Sequence, residues 1–114
     1  ARLRRRARDE MAERAYVARF AEKIRELFPA CPPGDVDAIA RRACEKYSGR
    51  VGRTSAAKEF DPRAIMLAVR AYVRHQHTPY AELLAGGLEP FEARPLVADE
   101  IETVLDRWRG KGAT

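Results

Sequence analysis

Apolar residues recur at helical spacing along nearly the whole chain, and no stretch alternates in the manner of a strand. Leu3, Ala7, Met11 and Ala15, followed by Val17, Phe20, Ala21, Ile24, Leu27 and Phe28, trace one stripe that Pro29 and the Pro32-Pro33-Gly34 turn bring to a stop. A helix of that extent reaches on the order of 37 Å, more than a domain of this size covers, so its first two or three turns should project. Asp35 reads as the N-cap of a second helix whose inner face is Val36, Ile39, Ala40, Ala43 and Tyr47. Asp61-Pro62 opens a third, with Asp61 as N-cap, Pro62 at the first helical position, and Ile65, Ala68, Val69, Tyr72 and Val73 facing inward. Thr78-Pro79 repeats the device before a short helix through Leu83 and Leu84 that Gly86-Gly87 ends. Val97, Ile101, Val104, Leu105 and Trp108 define the last helix, with Pro95 expected in its first turn and Pro90 to Arg94 as a separate turn or kinked extension.

The expected architecture is therefore all-α, a single domain of about five helices. Residues 1–29 form a long, partly protruding helix packed on a compact orthogonal helical bundle over 30–109, and 110–114 form a loose tail. Composition agrees: 114 residues with 46% hydrophobic and 34% charged content suffice for one core and are too apolar for a disordered chain. No apolar run approaches the roughly 20 residues that a membrane span requires, and the basic start is followed by Asp9, Glu10 and Glu13 rather than by an apolar segment, so a cytoplasmic protein is expected. Cys31 and Cys44 occupy neither a CxxC nor a CxxH pattern, which argues for reduced thiols and against structural zinc.

Charge changes the picture more. The net charge of +5 conceals a partition: residues 1–40 carry +2, residues 41–74 carry nine cations against three acids, and residues 75–109 carry −4. Of the 22 cations 18 are Arg, whose planar fork suits phosphate; a high-GC genome enriches Arg too, but does not cluster it. At the centre of the basic third lies Ser48-Gly49-Arg50-Val51-Gly52-Arg53-Thr54-Ser55. Two glycines three apart free the backbone to turn its N–H groups toward one point, while arginines and hydroxyls supply further donors, the description of an anion-binding loop. It has neither the spacing nor the preceding strand of a P-loop, and a glycine C-cap followed by a solvated basic loop explains it equally well. The expected phosphate-binding set is Arg41, Arg42, Lys46, Ser48, Gly49, Arg50, Gly52, Arg53, Lys58, Arg70 and Arg74, with Tyr47 as a candidate for base stacking.

His75-Gln76-His77 invites a metal, but residues two apart on a helix point in nearly opposite directions and only Glu82 is near, so no metal ligand, catalytic residue or cofactor is assigned. Five arginines within Arg2 to Arg8 read either as a nucleic-acid arm or as a solvated helix end. The leading expectation is a small basic module that binds DNA or RNA through phosphate contacts. Its rivals are a protein-interaction or homo-oligomerisation module built on the first helix and, ranked lower, a phosphate-handling hydrolase using His75 or His77.

The SGRVGR segment at 48–53, Asp61-Pro62 with Leu67-Ala68-Val69, Arg74-His75 with Thr78 and Tyr80 before Leu83-Leu84, Glu92-Ala93-Arg94 and Trp108 together resemble domain of unknown function family 2293 of bacteria and fungi, over roughly residues 30–109. The resemblance brings no established activity, cofactor or catalytic residue. It implies that the SGRVGR loop and the segment Arg74 to Tyr80 belong to one design facing one site. Ala81 stands where an acid commonly follows the tyrosine, which removes a capping-box partner for Thr78 and any catalytic role for that acid.

Overall fold

The computed structural model describes residues 2–47 and 60–110, the side chains of Lys46 and Tyr47 excepted. Its five helices are α1 (Arg2–Leu27), α2 (Pro33–Tyr47), α3 (Pro62–Gln76), α4 (Tyr80–Ala85) and α5 (Pro90–Trp108), and among the described residues there is no strand. α1 and α2 form an antiparallel pair. α3 packs against both and against α5, and the short α4 bridges α3 and α5.

The core is the meeting of the predicted stripes: Phe20, Ile24 and Phe28 of the first segment, Val36 and Ile39 of α2, Ile65, Val69 and Val73 of α3, and Val97, Ile101, Leu105 and Trp108 of α5, all essentially removed from solvent. One backbone bond closes the end of α1, and a second ties the chain just after it to the bundle. Phe28 N–H donates to the Ile24 carbonyl at 2.7 Å, and Ala30 N–H donates to the Trp108 carbonyl at 2.8 Å, satisfying a terminal acceptor of α5. By contrast, every residue from 2 to 15 is exposed, so the first half of α1 extends beyond the core.

Asp61 caps α3 by accepting from Arg63 N–H at 2.8 Å, with Pro62 in the first turn. Three boundaries differ from expectation. α2 starts at Pro33, whose ring suits the first helical position, so Asp35 lies inside the first turn and its carboxylate is used elsewhere. α4 starts at Tyr80 rather than Pro79. Thr78 still accepts from Tyr80 N–H at 3.2 Å, and its own hydroxyl donates to the Arg74 carbonyl. α5 runs without interruption from Pro90, straight through Pro95. A capping box explains that start: Glu89 accepts from the backbone N–H of Glu92, and Glu92 accepts from Glu89 N–H at 2.9 Å. Pro95 costs one bond to the Phe91 carbonyl near the helix start, and burial of Ala93 and Val97 on either side offsets it.

Among the described residues no helix is long and apolar enough to cross a membrane, and no disulfide joins Cys31 and Cys44. The residues 111–114 of the expected tail lie outside the described residues.

Candidate functional site

Side by side, α2 and α3 leave a groove of about 290 Å³ lined by Ile39, Arg42, Ala43, Ala64, Leu67, Ala68, Ala71, Tyr72 and His75. Its floor follows from sequence: alanines at 64, 68 and 71 lie on one side of α3 and are too small to fill the space above α2. Leu67 remains 66% exposed on the outer lip. Arg74, seven residues further along α3 and so only about 20° around the helix, continues that lip.

Arg42 lies with its guanidinium 5.4 Å from the Tyr72 ring centroid, and Arg74 lies 5.7 Å from that of Tyr80. Such stacking fixes a guanidinium without neutralising it. Among the described residues no carboxylate pairs with either, and the Arg74 Nε is buried with no hydrogen-bond partner. The other two described arginines of the expected set differ. Arg41 donates from Nε to Asp37 Oδ2 at 2.8 Å and Arg70 pairs with Glu102 at 2.6 Å, so each charge is answered within the protein. Lys46 lies in the last turn of α2 with its side chain undescribed, as is that of Tyr47, while Ser48, Gly49, Arg50, Gly52, Arg53 and Lys58 lie outside the described residues. The convergence of the glycine loop therefore stays an expectation from sequence.

The two histidines part company, as their spacing implies. His75 meets the Tyr80 ring edge-on at 5.2 Å on the groove side. His77, the C-cap of α3, turns the other way: its N–H closes onto Val73 C=O at 2.8 Å, its Nε2 lies 3.2 Å from Asp35 Oδ1, and its ring meets Trp108 edge-on at 5.4 Å. Among the described residues no group of three or more metal-ligating side chains gathers.

What sequence reading missed is the junction around Asp35. The carboxylate that resembled an N-cap accepts from Tyr72 Oη at 2.6 Å and faces His77. Burial, then the bond to Asp35 and its charge, push the Tyr72 hydroxyl up to about 12, with Arg42 pulling the other way. Burial and the same carboxylate push the Cys31 thiol up to about 12. A tyrosine on an apolar stripe was the available signal, since its hydroxyl must find a partner once the ring is covered. The junction braces the fold: it holds α2 against α3 so that Arg42 stays over Tyr72 at the groove.

A family model described as an uncharacterized conserved protein (DUF2293) matches residues 23–109. No curated protein and no solved structure matches the chain.

Proposed function

The chain belongs to the DUF2293 family of uncharacterized conserved proteins, and we propose that it is a small basic helical module that binds nucleic acid mainly through phosphate contacts. The observation that carries this reading is the state of Arg42 and Arg74. Each lies against an aromatic ring, Arg42 lining the groove and Arg74 one heptad along α3 from its lip residue Leu67, and neither is paired with a carboxylate among the described residues. Cations held in place yet unneutralised attract an oxyanion without first breaking an internal bond. The segment that joins α2 to α3 adds Arg50, Arg53 and Lys58 with two glycines and several hydroxyls, and residues 41–74 together hold nine cations against three acids. The apolar floor of the groove offers a base face somewhere to rest, while phosphates on a fixed spacing meet the two lips.

Contacts of this kind neutralise phosphates and release counterions, so affinity should depend on salt far more than on base sequence. The test is a titration of the chain with a fluorescent oligonucleotide at several salt concentrations. With about six phosphate contacts the log–log slope should be near −5. Replacing Arg50 and Arg53 together by Ala should weaken binding and flatten that slope. A flat salt response in the parent chain, or an unchanged affinity in the double variant, overturns the proposal.

A further inference from the structure

Among the described residues, positions 2–15 of α1 are all exposed, Leu3 by 79% and Met11 by 66%, and only Glu10, Glu13 and Arg14 border another helix, across an open hollow beside α2. They also precede the part of the chain that defines the family, which starts at residue 23. Nearly four turns of helix this exposed gain little from packing and are marginal in water. Yet the segment keeps one apolar strip, Leu3, Ala7 and Met11, each four residues from the next and centred on the small alanine.

The charges beside that strip are sorted. Residues 2–8 contain Arg2, Arg4, Arg5, Arg6 and Arg8 and no acid, whereas residues 9–13 contain Asp9, Glu10 and Glu13 and no base. On one flank Arg2 and Arg6 come first and Asp9, Glu10 and Glu13 follow, all lining the same shallow hollow. The ion pair between Arg14 and Glu10 on this segment is long at 3.9 Å and exposed, so it leaves the pattern largely unanswered.

We propose that this segment pairs antiparallel with the same segment of a second copy of the chain, the two-fold axis passing beside Ala7. Antiparallel packing about that residue sets Leu3 of each copy against Met11 of the other. It also brings Arg2 opposite Glu13 and Arg6 opposite Asp9 and Glu10, twice over, because a two-fold interface repeats every contact. A parallel pair would instead set Arg2, Arg4, Arg6 and Arg8 each beside its own copy and each acid beside an acid, which like-charge repulsion disfavours, whereas the antiparallel pair leaves only Arg4 and Arg8, on the other flank, facing their copies. The alanine at the crossing lets the two helices approach closely.

The experiment uses the 114-residue chain without nucleic acid, which keeps it independent of the binding proposal. Sedimentation equilibrium should give a mass that rises with concentration from 12.9 kDa toward twice that value. Met11→Glu should weaken association by roughly a hundredfold, since the two-fold axis places the substitution in the interface twice, while leaving the thermal unfolding of the bundle unchanged. Orientation is read from disulfides: Leu3→Cys and Met11→Cys, oxidised separately and then as a mixture, should cross-link only when mixed, with the parent chain controlling for Cys31 and Cys44. A monomer at every concentration, association indifferent to Met11→Glu, or cross-linking of either cysteine variant with itself would each overturn the proposal.

Discussion

Tyr72 donates its hydroxyl to Asp35 Oδ1 at 2.6 Å, linking two helices across 37 positions of sequence. The same ring carries Arg42 on its face 5.4 Å away. One side chain thus fastens α2 to α3 through its polar end and positions a groove cation through its apolar face. His77 completes the arrangement from the C-terminal end of α3, set between Asp35 and the Trp108 ring.

Tyr72→Phe keeps the ring and removes the bond. The Asp35 carboxylate then keeps only His77 among these partners, a loss of about 1–2 kcal/mol, which lowers Tm by roughly 4–8 °C per kcal/mol in a domain of this size. The pH dependence has a definite sign. Tyr72 holds its proton to about 12 in the fold against an ordinary 10, so its contribution is complete below pH 10 and is lost as pH rises toward 12. Urea denaturation at pH 9 and again above pH 11 should show a smaller alkaline loss in Tyr72→Phe than in the parent chain.

Cys31 adds a second alkaline contribution with the same sign. Its thiol, pushed from 9.0 up to about 12 by burial and then by the Asp35 charge, is protected below pH 9 and destabilises the fold as pH climbs beyond it. Because the thiolate is the nucleophile, the native protein at pH 8 should take up iodoacetamide at Cys31 orders of magnitude more slowly than the urea-unfolded protein. Peptide mass spectrometry after timed quenching reads that ratio; equal rates would contradict the burial of this residue.

Much of this fold is legible in the sequence, because buried faces leave a period. Ile65, Val69 and Val73, and Val97, Ile101, Leu105 and Trp108, are core positions that spacing alone identifies, and Asp61-Pro62 announces the start of α3. Boundaries that depend on a choice between partners are less legible. Asp35 can cap its own helix or accept from Tyr72, and only the three-dimensional proximity of α3 decides it. Pro95 breaks helices on average, yet here the Glu89 and Glu92 capping box lies far enough upstream to carry the helix through it. The expected site separates in the same way. Residue type shows where cations cluster, but not that Asp37 and Glu102 neutralise two of them while Tyr72 and Tyr80 only orient the others.

Two glycines should respond in opposite directions. Gly34 lies in the first turn of α2 with nothing within 4 Å of where a Cβ would stand, so Gly34→Ala should raise stability by a few tenths of a kcal/mol by reducing the freedom of the unfolded chain. Gly87 turns the chain after α4 at φ 110°, where its N–H donates to the Leu84 carbonyl at 3.0 Å. Gly87→Ala meets no atom either, but the backbone conformation itself costs an L-residue about 1–2 kcal/mol. Thermal melts of the two variants should shift to opposite sides of the parent.

Solvation of the core and of the projecting helix should separate cleanly. Ile24 is wholly buried where α1 meets the bundle, and Ile24→Ala should cost about 2–5 kcal/mol. Met11→Ala, thirteen residues earlier on the same helix, should stay within about 0.5 kcal/mol for dilute protein. Chemical denaturation monitored at Trp108, which lies in the core, distinguishes the two; a comparable loss for Met11→Ala at low concentration would mean that the first turns of α1 belong to the folding unit.

The four described arginines of the candidate interface offer the sharpest discrimination. Arg41 and Arg70 have carboxylates at 2.8 and 2.6 Å, so a phosphate must compete with Asp37 or Glu102 for them, whereas Arg42 and Arg74 face no such competitor among the described residues. Arg42→Ala and Arg74→Ala should therefore each flatten the log–log salt slope of oligonucleotide binding by about 0.9, as expected when one phosphate is no longer neutralised. Arg41→Ala and Arg70→Ala should leave it nearly unchanged. Lysine at 42 or 74 should restore the slope only in part, since an ammonium keeps the charge but stacks less well on the Tyr72 or Tyr80 ring. Equal effects at all four positions would mean that net charge alone, and not the aromatic positioning beside the groove, governs binding.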